Sequence, residues 1–214
     1  MLGIALAAAA SQLSAPVPLN LKEWVTASDW PPYMLQKLDG WWEVGVRLVV
    51  AADGTLRACI IQSRSGNSDA DQMTCDLIKK RARFQAARWT DGSPVTGVYN
   101  TTVAWILSTM AFYDPMKPPK GHNADLDISV EQLPPGVKSP SLVRAMFAVD
   151  GSGNISSCTS EASDNFVEAE NDSALVPIAC DQLLKTFKPL SFKDSSGKAI
   201  SSVQDALVRF SKSQ

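Results

Sequence analysis

Four cysteines and a single histidine bound the chemistry open to this 214-residue chain. No two of Cys59, Cys75, Cys158 and Cys180 share the C-x-x-C spacing that zinc sites and redox motifs use. Their placement repeats. Cys59 closes Leu56-Arg57-Ala58-Cys59 and Cys158 closes Ile155-Ser156-Ser157-Cys158, while Cys75 and Cys180 each open a Cys-Asp-(Leu/Gln)-(Ile/Leu) run. An even count in repeated positions predicts the bonds Cys59–Cys75 and Cys158–Cys180, each pinning a helix to a strand. Four buried thiols behaving as small hydrophobes are the alternative. His122 sits in Pro118-Pro119-Lys120-Gly121-His122 and is read as a solvated loop residue. With no second imidazole, a Ser-His-Asp or Cys-His arrangement is not expected, and no Gly-rich phosphate loop occurs. Acidic residues from Glu161 to Asp172 lack the Asp-x-Asp-x-Asp-Gly order of a calcium loop. The chain is therefore read as a non-enzyme with no cofactor and no metal site. Of its tryptophans, Trp24, Trp30, Trp41, Trp42, Trp89 and Trp105, core filling is expected, with contact to a partner as the alternative.

The elements that must hold these cysteines also come twice. Val44, Val46, Leu48 and Val50 alternate with other residues, the period of a half-buried strand. Asp53-Gly54 predicts a hairpin, because tight hairpin turns need residues that reach positive φ. A second strand runs through Cys59; with Leu56 and Cys59 both inward, it must carry a bulge. Ser68-Asp69-Ala70-Asp71 opens a helix, with Ser68 as cap and Lys79-Lys80-Arg81 suiting the far end of the dipole. Ala70, Met73, Leu77 and Ile78 make its inward stripe. Asp91-Gly92-Ser93-Pro94 turns the chain into a last strand, Val98 to Leu107. About a hundred residues later a degraded copy follows: a strand at Leu142 to Val149, the turn Asp150-Gly151-Ser152-Gly153, Cys158, a helix opening near Cys180, and a strand from Ser202 to Phe210. Between the copies the segment Tyr113 to His122 is rich in proline, which blocks regular structure and stiffens a linker.

A net charge of −2 advertises neither nucleic acid nor an anionic membrane as partner. Met1 to Ala15 carries no charge and is apolar through Ala10, too short to span a bilayer, which takes about 20 residues. It reads as an export signal, with small residues at Ala8/Ala10 or Ser14/Ala15 for cleavage. The organisation is then a signal at 1–15, a first unit at 16–113, a linker at 114–124 and a second unit at 125–214.

In these residues the chain resembles the TonB C-terminal domain family. That family runs from a Pro-led short helix through a strand, a D-G hairpin, a strand ending near S-x-G, a helix, and an R-F-x-P/A segment before its last strand. Here the run is Trp30-Pro31-Pro32-Tyr33, Val44 to Val50, Asp53-Gly54, Ser63-Arg64-Ser65-Gly66, Leu77-Ile78 and Arg83-Phe84-Gln85-Ala86. Over Pro134 to Phe210 the match is weaker: the S-x-G is absent and an acidic insertion precedes the helix. The resemblance implies an α+β fold of two tandem units, each one helix on a three-stranded antiparallel sheet. It also implies a periplasmic module that binds a partner protein's extended peptide, with an outer-membrane transporter among the candidate partners. The apolar start leads almost directly into the first unit, without the long Pro/Lys-rich spacer of an energy transducer, so force transmission is not expected. A structural or assembly module of the envelope is the alternative.

The expected docking place is Val98 to Leu107, ten residues without charge or proline. Exposed strand edges normally carry such blunting residues, and an unblunted one invites an added strand. The resemblance places partner peptides on this last strand. Either Tyr99, Thr101, Val103 and Trp105 or the opposite register would line the peptide, unless the strand is central or covered by the second unit. The matching strand of that unit bears Asp205 and Arg209 and is the poorer template. Asn100-Thr101-Thr102 has the form of a glycosylation acceptor but falls inside this strand.

Overall fold

The computed structural model describes residues 13–32, 42–105, 124–160 and 174–213. The expected short helix after Pro32, the linker with His122 and the acidic run from Glu161 to Asp172 fall outside these residues, apart from Pro32 itself.

Strand β1 (Val17–Pro18) is followed by two 3₁₀ turns, Leu21–Glu23 and Ala27–Asp29. Strands β2 (Trp42–Val50) and β3 (Leu56–Ser63) then form the first hairpin. At its tip Gly54 takes φ +82, where a side chain would be strained, and the Asp53 carboxylate accepts hydrogen bonds from the Thr55 N–H and hydroxyl. The predicted bulge is present. Val49 faces Ala58 and Val50 faces Leu56, so Arg57 is the extra residue and both Leu56 and Cys59 turn to the core.

Helix α1 (Ser68–Arg81) is capped not by Ser68 but by Asn67, whose side chain accepts from the N–H groups of Asp69 and Ala70 at 3.0 and 3.2 Å. Both residues are competent caps, and the chain enters the helix one residue earlier than the acidic pair suggests. Its fully buried stripe is Ala70, Asp71, Thr74, Cys75 and Ile78, while Met73 and Leu77 are half-buried at its margin. Asp71 is tolerated inside because it accepts from the Ser65 N–H and hydroxyl, both at 2.8 Å. Strands β4 (Phe84–Gln85) and β5 (Ala87–Arg88) lead into the long β6 (Pro94–Trp105).

The second half runs through β7 (Leu126–Val130), β8 (Ser141–Val149), β9 (Ile155–Ser160), helix α2 (Val176–Thr186), β10 (Phe192–Lys193), β11 (Ala199–Ile200) and β12 (Ser202–Lys212). Its register follows that of the first. Leu48 lies between Cys59 and Tyr99, and Phe147 lies between Cys158 and Gln204. The bulge recurs as well, with Ser156 the extra residue between Ile155 and Ser157. One core gathers Trp24, Trp30, Val46, Leu48, Ile78 and Trp105; the other gathers Phe147, Leu175, Leu183, Val208 and Phe210.

The fold is α+β, mostly strand. The local patterns do not predict that the strands of both halves join into one eight-stranded sheet, in the order β3-β2-β6-β12-β8-β9, with β5 and β7 beside β6 and β12. The junction is parallel: Thr96 faces Ser202 and Gly97 faces Val203. Partners across a ladder share a face, and Gly97 lies on the α1 face of β6 while Ser202 lies on the α2 face of β12. The two helices therefore pack on opposite faces. A third apolar cluster, Ala87, Met146 and Val203, seals the junction under Leu13, Ala15, Trp89 and Val95. Gly97 is required there, since a Cβ would stand 2.5 Å from Pro16 Cγ and 2.6 Å from Ala87 Cβ.

Candidate functional site

Both helices are tied to their sheets by disulfides. Cys59 bonds Cys75 and Cys158 bonds Cys180, the pairing expected from the repeated placement. Such bonds belong to an oxidising compartment. No helix among the described residues is long and apolar enough to cross a membrane. Among the same residues no three His, Cys, Asp or Glu side chains gather as metal ligands would.

The residues expected to line a peptide do not share one environment. Tyr99 and Trp105 are buried in the first core. Tyr99 packs edge-on against Trp24 and Phe84, and the Trp105 indole N–H donates to Thr74 Oγ1 at 2.8 Å. Thr101 and Val103 are half-buried on the same strand. β6 pairs with β2 from Gly97 to Trp105 on one side; on the other it meets β5 at Pro94 and Val95 and β12 at Thr96 and Gly97. The start of the strand is thus interior. Ile106 and Leu107 fall outside the described residues. β12 is more central still, with β8 along one edge and β6 and β7 sharing the other.

Past Gly97 the two strands part, and a polar network fills the gap. Arg144 Nη1 donates to Asp205 Oδ2, and Asn100 Nδ2 donates to Asp205 Oδ1 at 2.8 Å. Arg47 Nε donates to Asn100 Oδ1 at 3.0 Å and its Nη2 to Asp125 Oδ1 at 2.9 Å. Asp125 in turn clips β12, accepting from the Leu207 N–H and donating its own N–H to the Leu207 carbonyl. Asp205, Arg144 and Asn100 are buried. Sequence patterning reads Asp205 only as a charge that makes this strand the poorer template for an added one. Its signal, together with Arg47 and Arg144, is a charge set inside an otherwise apolar alternation. The burial of Asn100 also leaves the N-x-T form without an accessible acceptor.

The two ends of the large sheet's main run, β3 and β9, are each paired on one side only among the described strands. β3 is the longer, with one charge (Arg57, at the bulge) and no proline, and its Ile60 is 47% exposed. The Cys59–Cys75 bond anchors this strand to α1 at mid-length. Four of the tryptophans, Trp24, Trp30, Trp42 and Trp105, take part in the first core and Trp89 packs half-buried against the junction cluster, while Trp41 falls outside the described residues. Aromatic contact with a partner therefore has little to draw on in the described surface.

Comparison with known proteins finds no matching family model, no matching curated protein and no matching solved structure.

Beside α1 an open cleft of about 570 Å³ is lined by Asn20, Glu23, Thr26, Lys80, Arg81 and Arg83. Its strongest cation is already committed: Arg81 grips Asp29 with two bonds of 2.6 and 2.7 Å. The Arg81 hydrogen bonds, helped by those from Thr26, hold the Asp29 carboxyl well below the usual carboxylate range. The fold thus favours the charged form. That stability is fully present above the unfolded carboxylate value of about 3.9 and is lost as pH falls through the lower folded value. Asp29→Asn is expected to lower the urea midpoint at pH 7 and to reduce its fall between pH 4 and pH 2. Equal acid sensitivity in the variant and the parent would refute the assignment.

Proposed function

We propose that this protein is a periplasmic binding module built from two tandem units of the TonB C-terminal type, residues 16–113 and 125–214, the second divergent. It takes an extended segment of a partner protein as an added strand and is neither an enzyme nor an energy transducer. Supporting this reading are the order of hairpin, disulfide-tied helix and last strand in each half, and the two disulfides. The observation that carries it is β3: eight residues, paired on one side among the described strands, unblunted by proline, with Ile60 outward. Main-chain bonds to such an edge supply affinity and alternate side-chain positions supply selectivity. A strand held rigid by a disulfide also loses little entropy on binding. An outer-membrane transporter, and hence a part in transport, is the partner class that the resemblance suggests.

The last strand remains the competing place, with Thr101 and Val103 as its half-buried positions. A photoreactive side chain placed at Ile60 or at Thr102, in the full chain exported to a periplasm, separates the two. Capture of a partner's extended segment from Ile60, weakened about tenfold by Ala58→Lys, which adds a second charge to the β3 edge, is the expected result. Capture from Thr102 alone moves docking to β6. Crosslinks only between copies of the chain would favour the assembly module, a reading to which the edge pairing of β6 with β12 already lends a precedent.

A further inference from the structure

We infer that the chain carries a second docking surface, formed by β1, the turn Leu21–Glu23 and the end of α1, which takes an acidic segment of a partner protein with apolar side chains between its carboxylates. The inference does not rest on β3. Val17, Leu19 and Leu21 come at alternate positions and are all exposed, Leu19 by 65%. Neighbours of this kind make a patch, where a lone exposed leucine would mean nothing. β1 pairs only with β4 among the described strands, which sets Val17 opposite Gln85. The Leu19 N–H donates to the Arg83 carbonyl at 2.9 Å. That pairing lays the apolar row alongside the basic end of the helix.

The cleft beside α1 opens at this place, with Lys80 and Arg83 in its wall. Internal bonds fix its floor. Asn20 Oδ1 accepts from the Trp24 indole at 3.1 Å and from the Arg83 N–H at 3.0 Å, and Arg81 is held by Asp29. Free carbonyls at the end of a helix would repel an anion. Here the Ile78 carbonyl accepts from the Ala82 N–H, that of Arg81 from Asn20 Nδ2, and that of Ala82 from Arg83 Nη1. What projects outward is cationic. Lys22, Lys80 and Arg83 are exposed and form no ion pair with a carboxylate among the described residues. Against them stand Glu23, which accepts from Asn20 Nδ2 at 3.1 Å, and Asp76, one turn before Lys80 on α1. In a chain of net charge −2 this local excess of cations selects an acidic partner. A peptide fits it better than an anionic membrane. An extended segment can reach Lys80 and Arg83 in the concave cleft and still cover Leu19, whereas a flat bilayer would press Glu23 against its phosphates.

The probe is an octapeptide of alternating aspartate and leucine, followed through the backbone amide NMR shifts of the isotope-labelled full chain. Shifts gathered at residues 17–23 and 80–83 are the expected result. Affinity should fall at least about tenfold when Lys80→Glu and Arg83→Glu are combined, and about fivefold with Leu19→Ser. Lys193→Glu, the same change of charge on β10, should leave it as it was. Urea midpoints check that each variant is folded. Shifts confined to β3 would overturn this surface and give the peptide to β3 instead. Equal binding of an alternating lysine and leucine peptide, or unchanged affinity in the doubly substituted chain, would overturn it as well. Binding to phosphatidylglycerol vesicles without binding to the peptide would make the surface a lipid contact and sink the peptide reading. Binding to neither probe would remove the surface altogether and leave the β3 proposal standing.

Discussion

Replacing Asp205 with alanine is expected to lower the free energy of unfolding by roughly 3–5 kcal/mol, the cost typical of breaking a buried ion pair by removing one partner. The carboxylate is 6% exposed, Arg144 is 5% exposed and Asn100 is 7% exposed, so water does not replace what is lost. Both carboxylate oxygens are in use, one by the guanidinium and one by the amide. A buried guanidinium deprived of this carboxylate is the main expense, and Asp205→Asn, which keeps the shape but not the charge, should cost nearly as much. Asp127→Ala is the control. Its bond to Arg209 is exposed, with the Asp127 side chain at 66% accessibility, and such pairs contribute about 0–1 kcal/mol. Urea unfolding of the three variants decides the matter. A loss below about 1 kcal/mol for Asp205→Ala would mean that the network is not what holds the two halves at their junction.

Removing the first disulfide, as Cys59→Ala with Cys75→Ala, is expected to cost about 3 kcal/mol, chiefly by freeing the unfolded chain. The bond closes a loop with a sequence separation of 16, and the second bond closes one of 22, so the two should cost nearly the same. Each half has only a modest core beneath its helix, which makes a contribution of this size decisive for that half. The measurement is the urea midpoint with and without reductant. The parent should fall on reduction to about the level of a chain lacking all four cysteines, below the doubly substituted chain that keeps Cys158–Cys180, and the chain lacking all four should not respond. A parent indifferent to reductant would show that packing alone holds α1 on the sheet.

Much of the local structure is legible in the residues. The alternation from Val44 to Val50, the Asp53-Gly54 turn and the bulge demanded by Leu56 and Cys59 each follow from rules that act over a few positions. The cysteine pairing is legible for the same reason: a repeated placement limits which thiols can meet. Where two neighbouring residues can do one job, as Asn67 and Ser68 can for the helix cap, only the path of the backbone settles which does.

The relation between the halves is of another kind. Nothing near Val98 announces that β6 will lie beside β12, because strand periodicity records that a face or an edge can be covered and not what covers it. The contact of Asn100 with Asp205 joins residues 105 positions apart, and neither looks like an interior residue until the two strands are adjacent. Read alone, an aspartate in a strand marks a poorer template for an added one; set opposite Arg144 and Asn100 it becomes buried and paired. The same pairing turns the start of an apparently open edge into the middle of a sheet. Sequence by itself thus determined the two hairpins, the last strands, the presence of two helices and the disulfides, since these depend on short-range sterics and apolar spacing; it placed the start of the second helix near Cys180, where the chain in fact enters it at Val176. Tertiary structure decided which edges remain open and which charges are interior, since both depend on what distant backbone takes the place of water.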